Sequence, residues 1–377
     1  MKEISFHTKI YIGDNALNRL NKLTGEKILI VTDPFIEQSG IINEVTSRLE
    51  HRGNSYQIFS HIVPDPPIEI VAEGVNLMNE SMPGVIIAIG GGSAIDAAKA
   101  MKDFSKKLLP QQADITFIAI PTTSGSGTEV TSFSVITDQA KHVKYPLVSD
   151  TLLPDEAILD ATLIQSVPPA ITADTGMDVL THAIEAYVSI DANDFSDAFA
   201  EKAIQLIFDY LPRAFKDGND LEAREKVHHA STLAGMAFNM VGLGINHSIA
   251  HVCGAQFHIP HGRINAILLS AVIEFNAGLQ GGADSSISAI KYTKLAKILG
   301  QPSTNIRAGL INLTQQINQL KKELSMPTNL RGCGVTLEQL SAVKEMIIET
   351  ALLDGCTKTN PRVPSSKDIE TILDRIY

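Results

Sequence analysis

The sequence predicts two domains: an α/β domain built on a parallel sheet over residues 1–172, and an all-helical domain over 173–377. Three observations predict this. Short, nearly all-apolar runs alternate with helical stretches early in the chain, Pro168-Pro169 interrupts it, and beyond Thr172 helical periodicity continues with almost no strand signal.

Ile28 to Thr32 reads as the first strand, bounded by Gly25 before it and Asp33-Pro34 after it. A helical stretch runs on to about Gly53, and Tyr56 to Phe59 reads as the next strand. Pro64-Asp65-Pro66-Pro67 is a break. Val71 to Glu80 is helical, Val85 to Ile89 is a third strand, and a helix follows to about Lys107. Phe117 to Ile120 is a fourth strand, stopped by Pro121. Strands alternating with helices in this way pair in parallel, and their apolar composition suits a sheet covered on both faces. Phe133 to Thr137 and Val143 to Val148, separated by the polar Asp138-Gln139-Ala140-Lys141, predict a hairpin. In the second domain Thr181 to Val188, Phe195 to Leu211, Ala223 to Met240, Ile287 to Leu299 and Leu310 to Leu324 carry the helical period.

Composition narrows the function classes. With 44% hydrophobic and 19% charged residues among 377, the chain has the make-up of a soluble globular protein with a large core. A formal net charge of −11, without a long Lys/Arg cluster, argues against nucleic acid or an anionic membrane as partner. Cys253, Cys333 and Cys356 form no CxxC pair, and an odd count supplies no disulfide framework, so a reducing, cytosolic setting is expected. Residues 1–13 have scattered charges and no continuous apolar stretch, unlike a secretory signal. The longest apolar runs are far too short to span a bilayer.

Two groups of residues carry chemistry. Gly90-Gly91-Gly92-Ser93 lies directly between the Val85–Ile89 strand and a helix containing Asp96 and Lys99. Glycines let a phosphate approach the backbone, and the N–H groups opening a helix attract anions. The spacing is not GxGxxG, and a plain strand-to-helix turn is the alternative reading. Asp33 follows the first strand, where a carboxylate can accept from a ribose hydroxyl and repel an additional phosphate; it can equally cap a helix. Pro121 to Glu129 is a second small, hydroxyl-rich loop after a strand.

The second group is in the helical domain. Asp178 and His182 are four residues apart, which on a helix places carboxylate and imidazole on one face. His247 and His251 repeat that spacing, and His258 and His261 follow, so four of eleven histidines fall within fifteen residues. One carboxylate with three imidazoles suits a divalent first-row metal. Spacing leaves open which three histidines bind, and whether the ion is iron, zinc or manganese.

In these residues the sequence resembles the iron-containing (group III) alcohol dehydrogenase family. The likeness is carried by Gly90 to Ser93 with Asp96 and Lys99, by Pro121 to Glu129, by Asp174-Thr175-Gly176 running into Asp178 and His182, by Gly242 to His251, and by Pro260-His261-Gly262 with Asn265-Ala266. It implies a Rossmann-like dinucleotide-binding domain, a helical domain of dehydroquinate synthase-like architecture and a cleft between them. It implies Fe2+, with Zn2+ or Mn2+ as substitutes, on Asp178, His182, His247 and His261. His251 becomes a non-ligand near the nicotinamide and a proton relay. NAD(H) is implied on Gly91, Gly92 and Ser93 with Asp96, Thr122, Thr123, Thr131 and Lys144, and Asp33 matches the position favouring NAD. Asp65 departs from the asparagine common in the family. Phe133, Phe238, Leu243 and Cys356 match substrate-pocket positions, and core packing is their alternative reading. A homodimer is also implied.

Within the family, Pro168 through His182, Ala230 to Phe238, Gln256-Phe257-His258 and Asn360-Pro361-Arg362 resemble members that serve propanediol-utilisation microcompartments. This implies reduction of propionaldehyde to 1-propanol with return of NAD, and microcompartment proteins as further partners. Three rivals stand beside it. A polyol, glycerol or lactaldehyde dehydrogenase would share fold and metal. A sugar-phosphate cyclase would want a basic phosphate-binding cluster in the helical domain, and none is evident. A non-catalytic microcompartment partner would need no intact ligand set.

Overall fold

A computed structural model describes residues 4–50, 52–110, 114–139, 143–279 and 285–377. The chain forms two compact units, 1–166 and 167–377.

The first unit holds the strands β1 (Lys9–Ile12), β2 (Lys27–Val31), β3 (Ser55–Phe59), β4 (Val85–Gly90), β5 (Thr116–Pro121), β6 (Phe133–Asp138), β7 (Val143–Val148) and β8 (Glu156–Leu159). Its helices are α1 (Pro34–Gln38), α2 (Asn43–Glu50), α3 (Ile68–Ser81) and α4 (Gly92–Leu108). Six strands make one parallel sheet in the order β1-β8-β5-β4-β2-β3. All four strands expected of it are present. Alternation sends Leu29, Val31, Ile86, Ala88, Phe117 and Ala119 into one core and Ile28, Ile30, Val85, Ile87, Ile118 and Ile120 into another. Both faces are therefore covered, which is why the strands lack polar alternation.

Two strands of this sheet, β1 and β8, were not read from the sequence. Each has four residues, and β1 is exposed along most of its length at the sheet edge. They pair with each other in parallel, Lys9 against Glu156 through Ile12 against Leu159, so the contact that makes them strands is nonlocal. The expected hairpin is β6 and β7, antiparallel from Phe133↔Val148 to Asp138↔Val143; Ala140 and Lys141 of its expected turn lie outside the described residues.

The strand order has a reversal. From β2 the chain moves to β3 on one side, and then to β4 on the other side of β2. Ligands of open α/β sheets bind at such switch points, beyond the carboxyl ends of the strands. Asp33 and Gly90–Gly92 stand there.

The second unit is helical throughout its described residues: α5 (Pro169–Val188), α6 (Asp194–Lys216), α7 (Leu221–Val241), α8 (Ile245–Phe257), α9 (His261–Asn276), α10 (Ile287–Ile298), α11 (Ile306–Glu323), α12 (Leu337–Leu353) and α13 (Ser366–Ile376). Pro169 occupies the first turn of α5, where a missing N–H costs nothing, so the expected division after residue 172 falls inside that helix's first turn. Helix α5 is buried on nearly all sides, packed by α6, α7 and α9. Polar side chains such as Asp178, His182 and Glu185 are thus held inside the unit, where they need partners.

Candidate functional site

In the first unit the glycine turn has the form of an anion cradle. Gly90 has φ +154, and a Cβ there would lie 2.7 Å from the Ala94 Cβ, so only glycine fits. Gly91 is the N-cap of α4, whose first N–H groups open at Gly92 and Ser93. A Cβ on Gly91 would meet the Thr123 side chain at 3.5 Å, and a Cβ on Gly92 would meet Ser126 at 3.1 Å, so the hydroxyl-rich loop lies against the turn. The Thr122 N–H donates to the Gly90 carbonyl at 2.9 Å.

Asp33 caps a helix and also faces the glycine turn. One carboxylate oxygen caps α1, accepting from the Ile36 N–H at 3.0 Å. The other would lie 3.2 Å from a Cβ on Gly90, beside the turn.

Asp96 and Thr131 serve the loop itself. The Asp96 carboxylate accepts from the Thr128 hydroxyl at 2.5 Å and from the Val135 N–H at 3.1 Å. Lys99 is fully buried, and its three N–H groups are shared among the Thr128 hydroxyl (2.8 Å), the Thr131 carbonyl (2.7 Å) and hydroxyl (3.1 Å), and the Phe133 carbonyl (2.7 Å). Burial lowers this amine to about 8 despite the opposing carboxylates of Asp96 and Glu129. Lys99 thus pins residues 128–133 to α4, a role spacing did not reveal. Lys144 pairs with Asp65 at 2.5 Å on the surface, so the residue that departs from the family pattern takes the Lys144 amine.

In the second unit three helices converge. Asp178 and His182 project from α5, His247 and His251 from α8, and His261 opens α9. Helix α8 ends where His258 turns left-handed at φ 52, and Pro260 then caps α9, setting His261 at its first position. His258 therefore shapes the turn between them. Ligand atoms of Asp178, His247 and His261 lie within 4.8 Å of one another. The His182 ring stacks on His247, centroids 4.6 Å apart and 16° from parallel.

The donor chemistry of this cluster fits a cation. The Asn265 side-chain nitrogen lies 2.7 Å from Asp178 Oδ1, 3.2 Å from His247 Nε2 and 3.1 Å from His261 Nε2. An amide nitrogen carries two hydrogens, fewer than the three acceptor-capable atoms turned toward it. A carboxylate and imidazole nitrogens drawn to one point make a donor set that a divalent first-row metal satisfies. The cluster is open on one side: the His247 side chain is 1% exposed and that of His261 is 43% exposed. An open position is what distinguishes a catalytic from a structural metal site.

Glu185 was missed by the sequence reading. It is buried, its Oε2 lies 2.5 Å from His247 Nδ1, and its Oε1 accepts from the Asn246 N–H at 2.7 Å. Burial raises its carboxyl to about 8, although backbone donors from Asn246, Gly244 and His247 favour the anion. Burial, followed by the neighbouring histidines, lowers His247 well below its ordinary value, so this ring is neutral. Neutral imidazole is the metal-binding form. The signal was available: Asp178, His182 and Glu185 are spaced i, i+4, i+7, one face of one helix, and Glu185 interrupts an apolar run.

His251 is exposed, and its Nδ1 lies 2.9 Å from Asp354 Oδ2. Burial works against the Asp354 anion, but the His251 ring and the Cys356 N–H bring its carboxyl down to about 2. Of the four expected pocket residues, Phe238 lies against His182 (centroids 4.7 Å) and Cys356 stands beside Asp354 and His251. Leu243 is in the turn between α7 and α8, where its carbonyl accepts from the Thr359 hydroxyl. Phe133 belongs to the first unit, at the start of β6.

Comparison with known proteins matches both units. The family described as iron-containing alcohol dehydrogenase matches residues 7–161. The family described as Fe-containing alcohol dehydrogenase family, C-terminal, matches residues 172–377. A 1-propanol dehydrogenase of Citrobacter freundii is 46% identical over 378 residues, covering 100% of both chains. An NADPH-dependent butanol dehydrogenase of Clostridium saccharobutylicum is 39% identical, covering 100% of this chain and 98% of that one. The solved structure of an iron-containing alcohol dehydrogenase from Thermococcus thioreducens superposes with a TM-score of 0.90 at 31% identity, covering 100% and 99% of the two chains.

Proposed function

This chain belongs to the iron-containing alcohol dehydrogenase family and is an alcohol dehydrogenase, and from that premise we propose that it reduces a short aliphatic aldehyde, propionaldehyde to 1-propanol, with NADH and ferrous iron. The observation that carries the reading is the convergence of Asp178, His247 and His261 on one point, with His182 stacked alongside. These four residues would hold the ion. When bound, the ion supplies Lewis acidity to a carbonyl oxygen and NADH supplies the hydride.

The chain's own residues do the rest. The N–H groups at Gly91, Gly92 and Ser93 bind the diphosphate, with Thr122 and Thr123 lining the turn. Asp33 accepts from the ribose. Glu185 holds the His247 ring with its Nε2 facing Asp178 and His261. Asp354 orients His251, which passes a proton between water and the substrate oxygen. Phe238 beside His182 presents an aromatic wall that suits an alkyl chain better than a polyol.

The resemblance of Pro168 through His182 and Ala230 to Phe238 to microcompartment members of the family supports a place beside microcompartment proteins, and a homodimer is the family expectation. Among the described residues no helix is long and apolar enough to cross a membrane.

NADH oxidation with propionaldehyde on anaerobic protein tests the reading directly. Activity should vanish on chelation and return with ferrous iron. A metal-loaded protein inactive on propionaldehyde but active on glycerol would overturn the substrate class.

Two variants probe the supporting residues. Glu185→Gln keeps the size of the side chain and replaces the carboxyl that faces His247 Nδ1 with an amide, and iron affinity read by chelator competition should fall about 10- to 100-fold. An unchanged affinity would remove Glu185 from the site. Asp33→Asn keeps an equally good helix cap and removes the repulsion toward a ribose phosphate. The kcat/KM ratio for NADPH over NADH should rise at least about tenfold. A fixed ratio would show that Asp33 serves α1 alone.

A further inference from the structure

Beside the proposed iron ligands stands a second group of ligand atoms of different chemistry. His251, Asp354 and Cys356 each offer one, and these atoms lie within 4.8 Å of one another. His251 comes from α8, while Asp354 and Cys356 come from the short turn after α12, where Asp354 accepts from the Cys356 N–H at 2.8 Å. That hydrogen bond fixes the carboxylate beside the thiol. The Ser248 hydroxyl donates to the same oxygen at 3.3 Å, and the His251 ring meets the other.

We propose that His251, Asp354 and Cys356 form a second divalent-cation site, suited to a thiophilic ion of the Zn2+ class, and that its filling takes His251 out of the reaction. The inhibitory half of this proposal rests on the role given to His251 above; the binding half does not.

The chemistry separates the two sites. Asp178, His182, His247 and His261 offer only oxygen and nitrogen, whereas the second group adds a sulfur, which favours zinc or cobalt over harder ions. Zinc bonds of about 2.0–2.3 Å place neighbouring ligand atoms roughly 3.3–3.8 Å apart. The His251–Asp354 pair at 2.9 Å must open by less than about 1 Å, and the thiol must close in by about 1.5 Å at most. The His251 side chain is 43% exposed, which leaves an entry path and room for a water as fourth ligand.

Loading is a proton exchange without redox change. Asp354 is already anionic, His251 binds as the neutral ring, and the Cys356 thiol gives its proton to solvent as the sulfur–metal bond forms. One proton is released per ion. This site offers three protein ligands against the four proposed for the first, so it fills second.

Cobalt titration of the full-length, chelator-stripped, reduced protein reads both sites at once. Only a thiolate ligand produces sulfur-to-cobalt charge-transfer absorption in the near ultraviolet. Two equivalents should bind, and this band should grow only with the second. Cys356→Ala, and the near-isosteric Cys356→Ser, should lose the band and the second equivalent while keeping the first. Cys333→Ala should keep both. Asp178→Ala should lose the first equivalent and keep the band, so failure of the iron assignment and failure of the second site give different results. Zinc should quench the band, and should inhibit iron-loaded wild-type enzyme at least about tenfold, with that inhibition lost in Cys356→Ser. A single equivalent without the band, or a band that survives in Cys356→Ala, would overturn the second site. A filled second site with no zinc inhibition would overturn its effect on His251.

Discussion

His261→Ala is expected to abolish iron retention and to lower kcat/KM by about 10^3-fold or more, the loss of several kcal/mol of charge stabilisation at a reacting oxygen. The same change should leave folding nearly untouched. His261 is the first residue of α9, and its side chain is 43% exposed, so truncation opens no sealed cavity. This combination separates a ligand from a core residue, whose truncation would lower stability and activity together. Metal content per chain, kcat/KM and Tm measured on one preparation decide it. Iron retained at one per chain would contradict the ligand role. Because the lost ring faces solvent, free imidazole should restore part of the activity.

Gly262→Ala is expected to damage the same site through the backbone. A Cβ at Gly262 would lie 2.0 Å from the Asp174 carbonyl oxygen and 2.7 Å from its carbon, both part of α5. Backbone atoms cannot swing aside as a side chain can, so α9 must move away from α5. Asp178 lies on one of these helices and His261 on the other, and a Cβ at Gly262 would also meet the Asp178 Cβ at 3.2 Å. Any shift that relieves the contact therefore pulls the two proposed ligands apart. Overpacking of this kind costs about 1–3 kcal/mol, and iron affinity should fall at least about tenfold, as for loss of a residue that orients a ligand. The Arg263–Asp174 pair at 2.9 and 3.1 Å, which ties the helices together at this point, should be strained as well. An alanine variant with unchanged Tm and unchanged iron content would show that the approach of α9 to α5 is looser than the structure has it.

Much of the site was legible because its signals are local. A strand, a glycine turn and a helix follow one another without interruption from Val85 to Leu108, so the cradle could be read as a contiguous string. Asp178 with His182 and His247 with His251 are pairs within single helices, and a period of 3.6 residues places each pair on one face whatever the rest of the chain does. The strands β2 to β5 were readable for a related reason: burial on both faces forces runs of apolar residues, and such runs are visible one at a time.

What spacing left open was which of these side chains packing brings together. Nothing in the interval between Asp178 and His261 says that α5, α8 and α9 meet, nor that the Asn265 amide is shared among Asp178, His247 and His261. Glu185 beneath His247, Lys99 beneath the loop at 128–133, and Asp354 against His251 are all partners from distant parts of the chain or from the inside of a buried helix. Strands β1 and β8 exist because they pair with each other across the length of their unit. By itself the sequence determined the types of the elements with a local signal, the order of the two domains, the glycine turn and the histidine pairs, since periodicity and turn chemistry act over a few residues. Only the tertiary structure decided which of those side chains share a point and which buried polar groups hold them there, because close packing and the need to satisfy every buried charge act between residues that the sequence keeps far apart.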